Sequence, residues 1–217
     1  MAGCGTIDQL KVWWDTVIEY GPYIGYHTKP SKSWLIVKTE HLLYAETVFQ
    51  GTGLKITTAG NRHLGAVVGT NEFKDKYVKE KVDEWIDELM ELENIAKVDP
   101  HIAYSAYVFG LQHQFTYVLR TIPQISKHLE ILDKAIDRYL IQHLIKDHTI
   151  TELERIWLSL PVRLGGMGLN IISEMAPHYY ENSRRMTKAL VDGIIHQHDP
   201  DPDVESGDES GPVKAIK

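Results

Sequence analysis

A single cysteine in 217 residues, Cys4, excludes an internal disulfide, and with no second Cys or His at ligand spacing it excludes a Cys-based zinc site. A lone thiol fits a reducing, intracellular compartment, cytoplasm or nucleus. No run of about 18 apolar residues occurs, and the first residues lack the basic-then-apolar order of a secretory signal. Neither a membrane span nor export is therefore indicated. His-Glu-x-x-His is missing despite 11 histidines. His143 and His148 stand five apart, poorly placed for one helix face, and His196-x-His198 borders an acidic tail. Gly51-Thr52-Gly53-Leu54-Lys55 lacks the Gly-x-x-x-x-Gly-Lys-Ser/Thr spacing of a phosphate loop and reads as a helix C-terminus. No serine or cysteine nucleophile sits in a recognisable elbow.

What is present is globular: 43% of residues are hydrophobic and 24% charged. The net charge of −7 opposes nucleic-acid binding at first sight, but it is unevenly spread. Residues 199–217 hold six acids and two lysines, and residues 71–97 hold nine acids against five bases. Residues 1–70 are slightly positive, with six Lys/Arg against five Asp/Glu, so phosphate contacts belong there.

Periodicity gives an α+β chain that is mainly α. Leu10, Trp13, Trp14, Val17 and Ile18 form a helical stripe ending at Gly21-Pro22, which predicts a helix over Ile7–Tyr20. Residues 33–37 read as a strand. Thr39 then caps a helix burying Leu42, Ala45 and Phe49. Residues 54–58 read as a strand, 59–61 as a turn and 62–68 as a strand, which makes a small antiparallel sheet. Val78, Val82, Trp85, Leu89, Leu92 and Ala96 predict one long helix with an acidic outer face. Residues 101–119 are apolar nearly all round and predict a central helix, ended by Pro123. Leu129, Leu132, Ile136 and Leu140 mark another. Thr151 and Glu154 match a capping box opening a short helix before Pro161, and Gly165-Gly166-Met167-Gly168 leads to a last helix from near Ser173. Residues 199–217 lack the hydrophobicity to offset ordering entropy and are expected to be disordered. Arg184, Arg185 and Lys188 read as a solvated charged face able to touch a phosphate backbone.

Three elements in order carry a family resemblance. The first is Tyr-Gly-Pro-Tyr-Ile-Gly-Tyr-His-Thr-Lys-Pro-Ser-Lys-Ser-Trp-Leu-Ile-Val-Lys over residues 20–38. The second is His63-Leu64-Gly65 within His-Leu-Gly-Ala-Val-Val-Gly. The third is Leu160-Pro161-Val162-Arg163-Leu164-Gly165-Gly166-Met167-Gly168-Leu169. Together they resemble the last two palm motifs of retroelement reverse transcriptases and a segment found beyond the palm, over roughly residues 5–198. The family's Tyr/Phe-x-Asp-Asp turn would fall at or just before Met1. Ala2-Gly3-Cys4-Gly5 looks like the sequence that follows it, but the turn, the first palm aspartate and the fingers are absent.

The resemblance implies a palm remnant over residues 1–70, a helical thumb-like and connection region over 71–198, and a tail over 199–217. It implies that Lys32 is the leaving-group acid of a complete palm, since a cation near the developing charge stabilises it and an ammonium can donate the proton. Arg62, His63, Leu64 and Gly65 would contact the primer terminus, Gly65 allowing close backbone approach. Mg²⁺ and deoxynucleoside triphosphates belong to full-length relatives, and no bound cofactor is expected on this chain. Primer–template binding is expected to be weak and polymerase activity absent, with an unpaired sheet edge open to self-association. The alternative reading is a mainly helical, non-catalytic binding or scaffold module. Taken alone, Lys32 also suits a solvated strand start, and His63-Leu64-Gly65 a hairpin with a packing glycine.

Overall fold

A computed structural model describes residues 2–146 and 150–198. His148 and the tail expected over 199–217 lie outside them. The first element, α1 (Ile7–Tyr20), opens on a capping box: Thr6 Oγ1 accepts from Gln9 N, and Gln9 Oε1 accepts from Thr6 N at 3.0 Å. Its stripe buries Trp14 fully and Leu10 and Trp13 in part, against Leu35, Ala45 and Phe49. Leu35 comes from β1 (Trp34–Ile36), Ala45 from α2 (Leu42–Val48), and Leu35 pairs with Ile56 of β2 (Lys55–Thr57).

The architecture is α+β and mainly α, as the sequence indicates. The sheet, however, is two separate pairs, and the first is not antiparallel. β1 and β2 run parallel, because α2 carries the chain back between them as a crossover. Nor does Thr39 cap α2. It starts a tight 3₁₀ turn (Thr39–His41), and no side chain caps the helix that follows.

Residues 62–68 are not one strand. They split into β3 (Gly60–His63) and β4 (Ala66–Gly69), an antiparallel hairpin in which Arg62 pairs with Val67 and His63 with Ala66. The turn falls at Leu64 (φ 50°) and Gly65 (φ 83°), and positive φ at both central residues is the two-residue turn whose twist suits adjoining strands.

The helices then build the larger core. Thr70 caps α3 (Asn71–Val98), whose six stripe residues are all buried. α4 (Pro100–Ala106), a π turn (Tyr107–Leu111) and α5 (Gln112–Thr121) follow. They bury Ala103, Tyr107, Leu111, Phe115 and Leu119 and leave Ile102, Phe109 and Tyr117 exposed, so this segment is covered on one face and not all round. Successive steps of four residues drift by about 40° on an α-helix, and the wider π turn takes up that drift. The device recurs in α6 (Ser126–Ile136), a π turn (Asp137–Ile141) and α7 (Gln142–Leu144), burying Leu129, Leu132, Ile136 and Leu140. The short α8 (Glu152–Ser159) starts at the Thr151–Glu154 capping box. The last helix, α9 (Ile172–His196), packs on α5 and α6 through Ile172 and Ala176. Val67 of β4 belongs to this core, which fixes the hairpin to the helices. Among the described residues no helix is long and apolar enough to cross a membrane.

Candidate functional site

The hairpin tip is held from below by two tyrosines. Tyr117 of α5 donates its hydroxyl to the Leu64 carbonyl at 2.6 Å, and Tyr77 of α3 donates to the Gly65 carbonyl at 2.8 Å. Both turn carbonyls are thereby fixed by rigid helices. The Arg62 guanidinium stands 5.3 Å from the Tyr77 ring centroid, so the same tyrosine also steadies the cation. Arg62, His63, Leu64 and Gly65 are all exposed.

Leu64 is the telling residue. Its left-handed backbone is unfavourable for a residue with a Cβ, and its side chain is 83% exposed at the tip. Strain held in place by surrounding structure is characteristic of working sites. Gly65 is needed for two reasons: its φ is positive, and a Cβ there would stand 3.3 Å from the Tyr117 ring.

Lys32 ends a 3₁₀ turn (Pro30–Lys32) that leads into β1, with its side chain exposed. β3 packs beside β1, so the Lys32 turn and the hairpin belong to neighbouring strands. Among the described residues no hydrogen bond or ion pair joins Lys32 to residues 62–65.

The third element is a structural staple. The amides of Leu164, Gly165, Gly166, Met167, Gly168 and Leu169 all donate to carbonyls between Leu158 and Val162, so none is free to cradle a phosphate. A Cβ on Gly166 would lie 2.0 Å from the Leu160 carbonyl oxygen, which only glycine avoids. Two buried ions hold this turn against the helices. Arg155 donates to the carbonyls of Leu169 (2.6 Å) and Asn170 (3.2 Å) and to Asp137 (2.6 Å). Asp133 of α6 accepts from the amides of Ile172 (2.7 Å) and Ser173 (3.0 Å), capping α9 from another helix. Burial pushes the Asp137 carboxyl above its ordinary range, and the Arg155 guanidinium draws it back.

Sequence reading missed Tyr77, Tyr117, Asp133 and Arg155. Tyr77 left a signal, since it lies beside the apolar stripe of α3 and a covered hydroxyl needs a partner, whereas Tyr117, half exposed on α5, left none. The acid and the arginine gave no signal, because polar residues on amphipathic helices read as surface.

Among the described residues no three His, Cys, Asp or Glu side chains stand together to hold a metal ion. Comparison of the chain with protein-family models, curated proteins and solved structures finds no match.

Proposed function

We propose that this chain is the C-terminal palm and thumb-like part of a reverse-transcriptase-type polymerase that touches nucleic acid and does not transfer nucleotides by itself. The observation that supports the reading best is the hairpin tip: His63-Leu64-Gly65 is exposed, its backbone is strained at Leu64, and two helices clamp it beside Arg62. Such a tip offers a cation, an imidazole and a close backbone approach to a phosphate chain, with the positional precision that a primer contact needs. Lys32 supplies a second cation on the neighbouring strand entry. Its leaving-group role belongs only to a complete palm with bound deoxynucleoside triphosphate. The reading carries with it an intracellular setting and self-association through the open edges of the two strand pairs.

Fluorescence anisotropy of a labelled RNA–DNA primer–template at several salt concentrations tests it. Affinity in the non-specific range, roughly 10⁻⁴ to 10⁻⁶ M, is expected, with a clear salt slope. The Lys32→Ala/Arg62→Ala double variant should bind more weakly and with a flatter slope, because each lost phosphate contact removes about one released counterion. Identical slopes would remove both residues from the interface. Primer extension should stay at the buffer control.

One observation favours the binding-module alternative. Beyond its packed first half, α9 exposes Met186, Leu190, Val191, Ile194 and Ile195. Absence of duplex binding, together with self-association abolished by Leu190→Glu, would favour that module instead.

A further inference from the structure

Trp34 stands outside the hairpin with no core role. Strand alternation puts Leu35 into the small core and turns Trp34 to the opposite face, where it is 44% exposed. Trp14 and Trp85 are buried, and Trp13 packs against the small core. Of the two exposed tryptophans, Trp157 follows Glu152 and Glu154 on its helix, whereas Trp34 lies among lysines.

The strand register sets Lys55 opposite Trp34, with its ammonium 5.1 Å from the ring centroid. The turn carrying Lys29 and Lys32 packs on β2, and the Lys55 amide donates to the Ser33 carbonyl at 3.1 Å. These contacts set the Pro30–Lys32 turn, with Lys29 immediately before it, beside the Trp34–Lys55 pair at the leading end of the β1–β2 pair. Among the described residues none of the three lysines forms an ion pair, and nearby Glu40 is engaged by Lys38 and His41. Residues 20–70 hold five basic and two acidic side chains, net +3 in a chain of net −7.

We infer that Trp34, Lys55 and Lys29 form a binding site for single-stranded nucleic acid. A base stacks on the indole, and the flanking phosphates meet the ammonium groups. A duplex cannot serve, because its bases are already stacked on each other and offer no free face. An acidic polypeptide would engage the lysines and leave the indole unused. The platform is open, so one nucleotide covers little of it, and affinity must build over several linked units. This inference rests on the nucleic-acid reading above and adds to it the strand form and the second contact surface.

The test uses the full chain and a labelled oligo-dT of about twelve nucleotides, within the usual single-strand site size. Binding should quench tryptophan emission, and Trp34→Ala should weaken it roughly ten- to one-hundred-fold at an unchanged thermal midpoint. Trp34→Phe, which keeps a ring, should retain most of the affinity, and Lys55→Gln should lower the salt slope by about one. Binding of a blunt RNA–DNA duplex with no unpaired overhang should be the same for Trp34→Ala and parent. Equal oligo-dT affinity for Trp34→Ala and parent overturns the inference and leaves the hairpin reading standing. So does polyglutamate binding as tightly as oligo-dT. Oligo-dT binding without duplex binding supports this site and removes the hairpin. Binding of neither removes both.

Discussion

Leu64 and Gly65 show how tertiary structure selects a turn that local preference disfavours. A leucine in the left-handed region costs roughly 1–2 kcal/mol, which the two tyrosine hydrogen bonds offset. Replacing Tyr77 and Tyr117 together by Phe should therefore cost about 1–3 kcal/mol in urea unfolding and loosen the tip without opening the core. An unchanged midpoint, with tip amides exchanging as in the parent, would show that the hydroxyls do not hold the hairpin. The split of residues 62–68 was illegible locally, since a leucine before a glycine carries no strong turn signal. Both hydroxyls come from residues 12 and 53 positions away in sequence.

At the scale of elements, the long stripes were the legible part. The bounds of α1 and the buried face of α3 follow from apolar spacing, and the cap at Thr151 sits where first-turn amides need acceptors. The parallel pairing of β1 and β2 was not legible, because three-residue strands leave direction to the crossover. Trp85 lies in the α3 stripe with its ring 4.8 Å from that of Phe115. Trp85→Ala should cost about 3–5 kcal/mol by calorimetry or denaturant unfolding, and a parental midpoint would place the stripe outside the core. Glu93 of α3 meets His143 and Lys97, each at 3.1 Å, and these partners hold its carboxyl below the ordinary value of 4.5. A lowered folded value means that its contribution is in place above pH 4.5 and is lost as pH falls through the folded value. Stability of Glu93→Gln should accordingly fall less steeply below that pH than stability of the parent. Parallel curves would show no such linkage.

At the scale of the whole molecule, two cores and an uneven charge distribution divide the labour. The small core of α1, α2 and the β1–β2 pair carries the cation-bearing segment, and the helical core carries the hairpin on α3 and α5. The acidic outer face of α3 disfavours phosphate, so the proposed contacts are assigned to the segment that carries the excess of cations. Lys32, Arg62, His63, Leu64 and Gly65 were legible as candidates only through motif resemblance. Tyr77 and Tyr117 then hold Arg62, Leu64 and Gly65, whereas among the described residues no such contact reaches Lys32. Hydrogen exchange read by mass spectrometry, with and without saturating primer–template duplex, tests the central claim most directly. Slower exchange confined to peptides covering residues 59–70 and 29–34 is the expected result. Unchanged exchange in the hairpin, with protection only in α8 or α9, would contradict it.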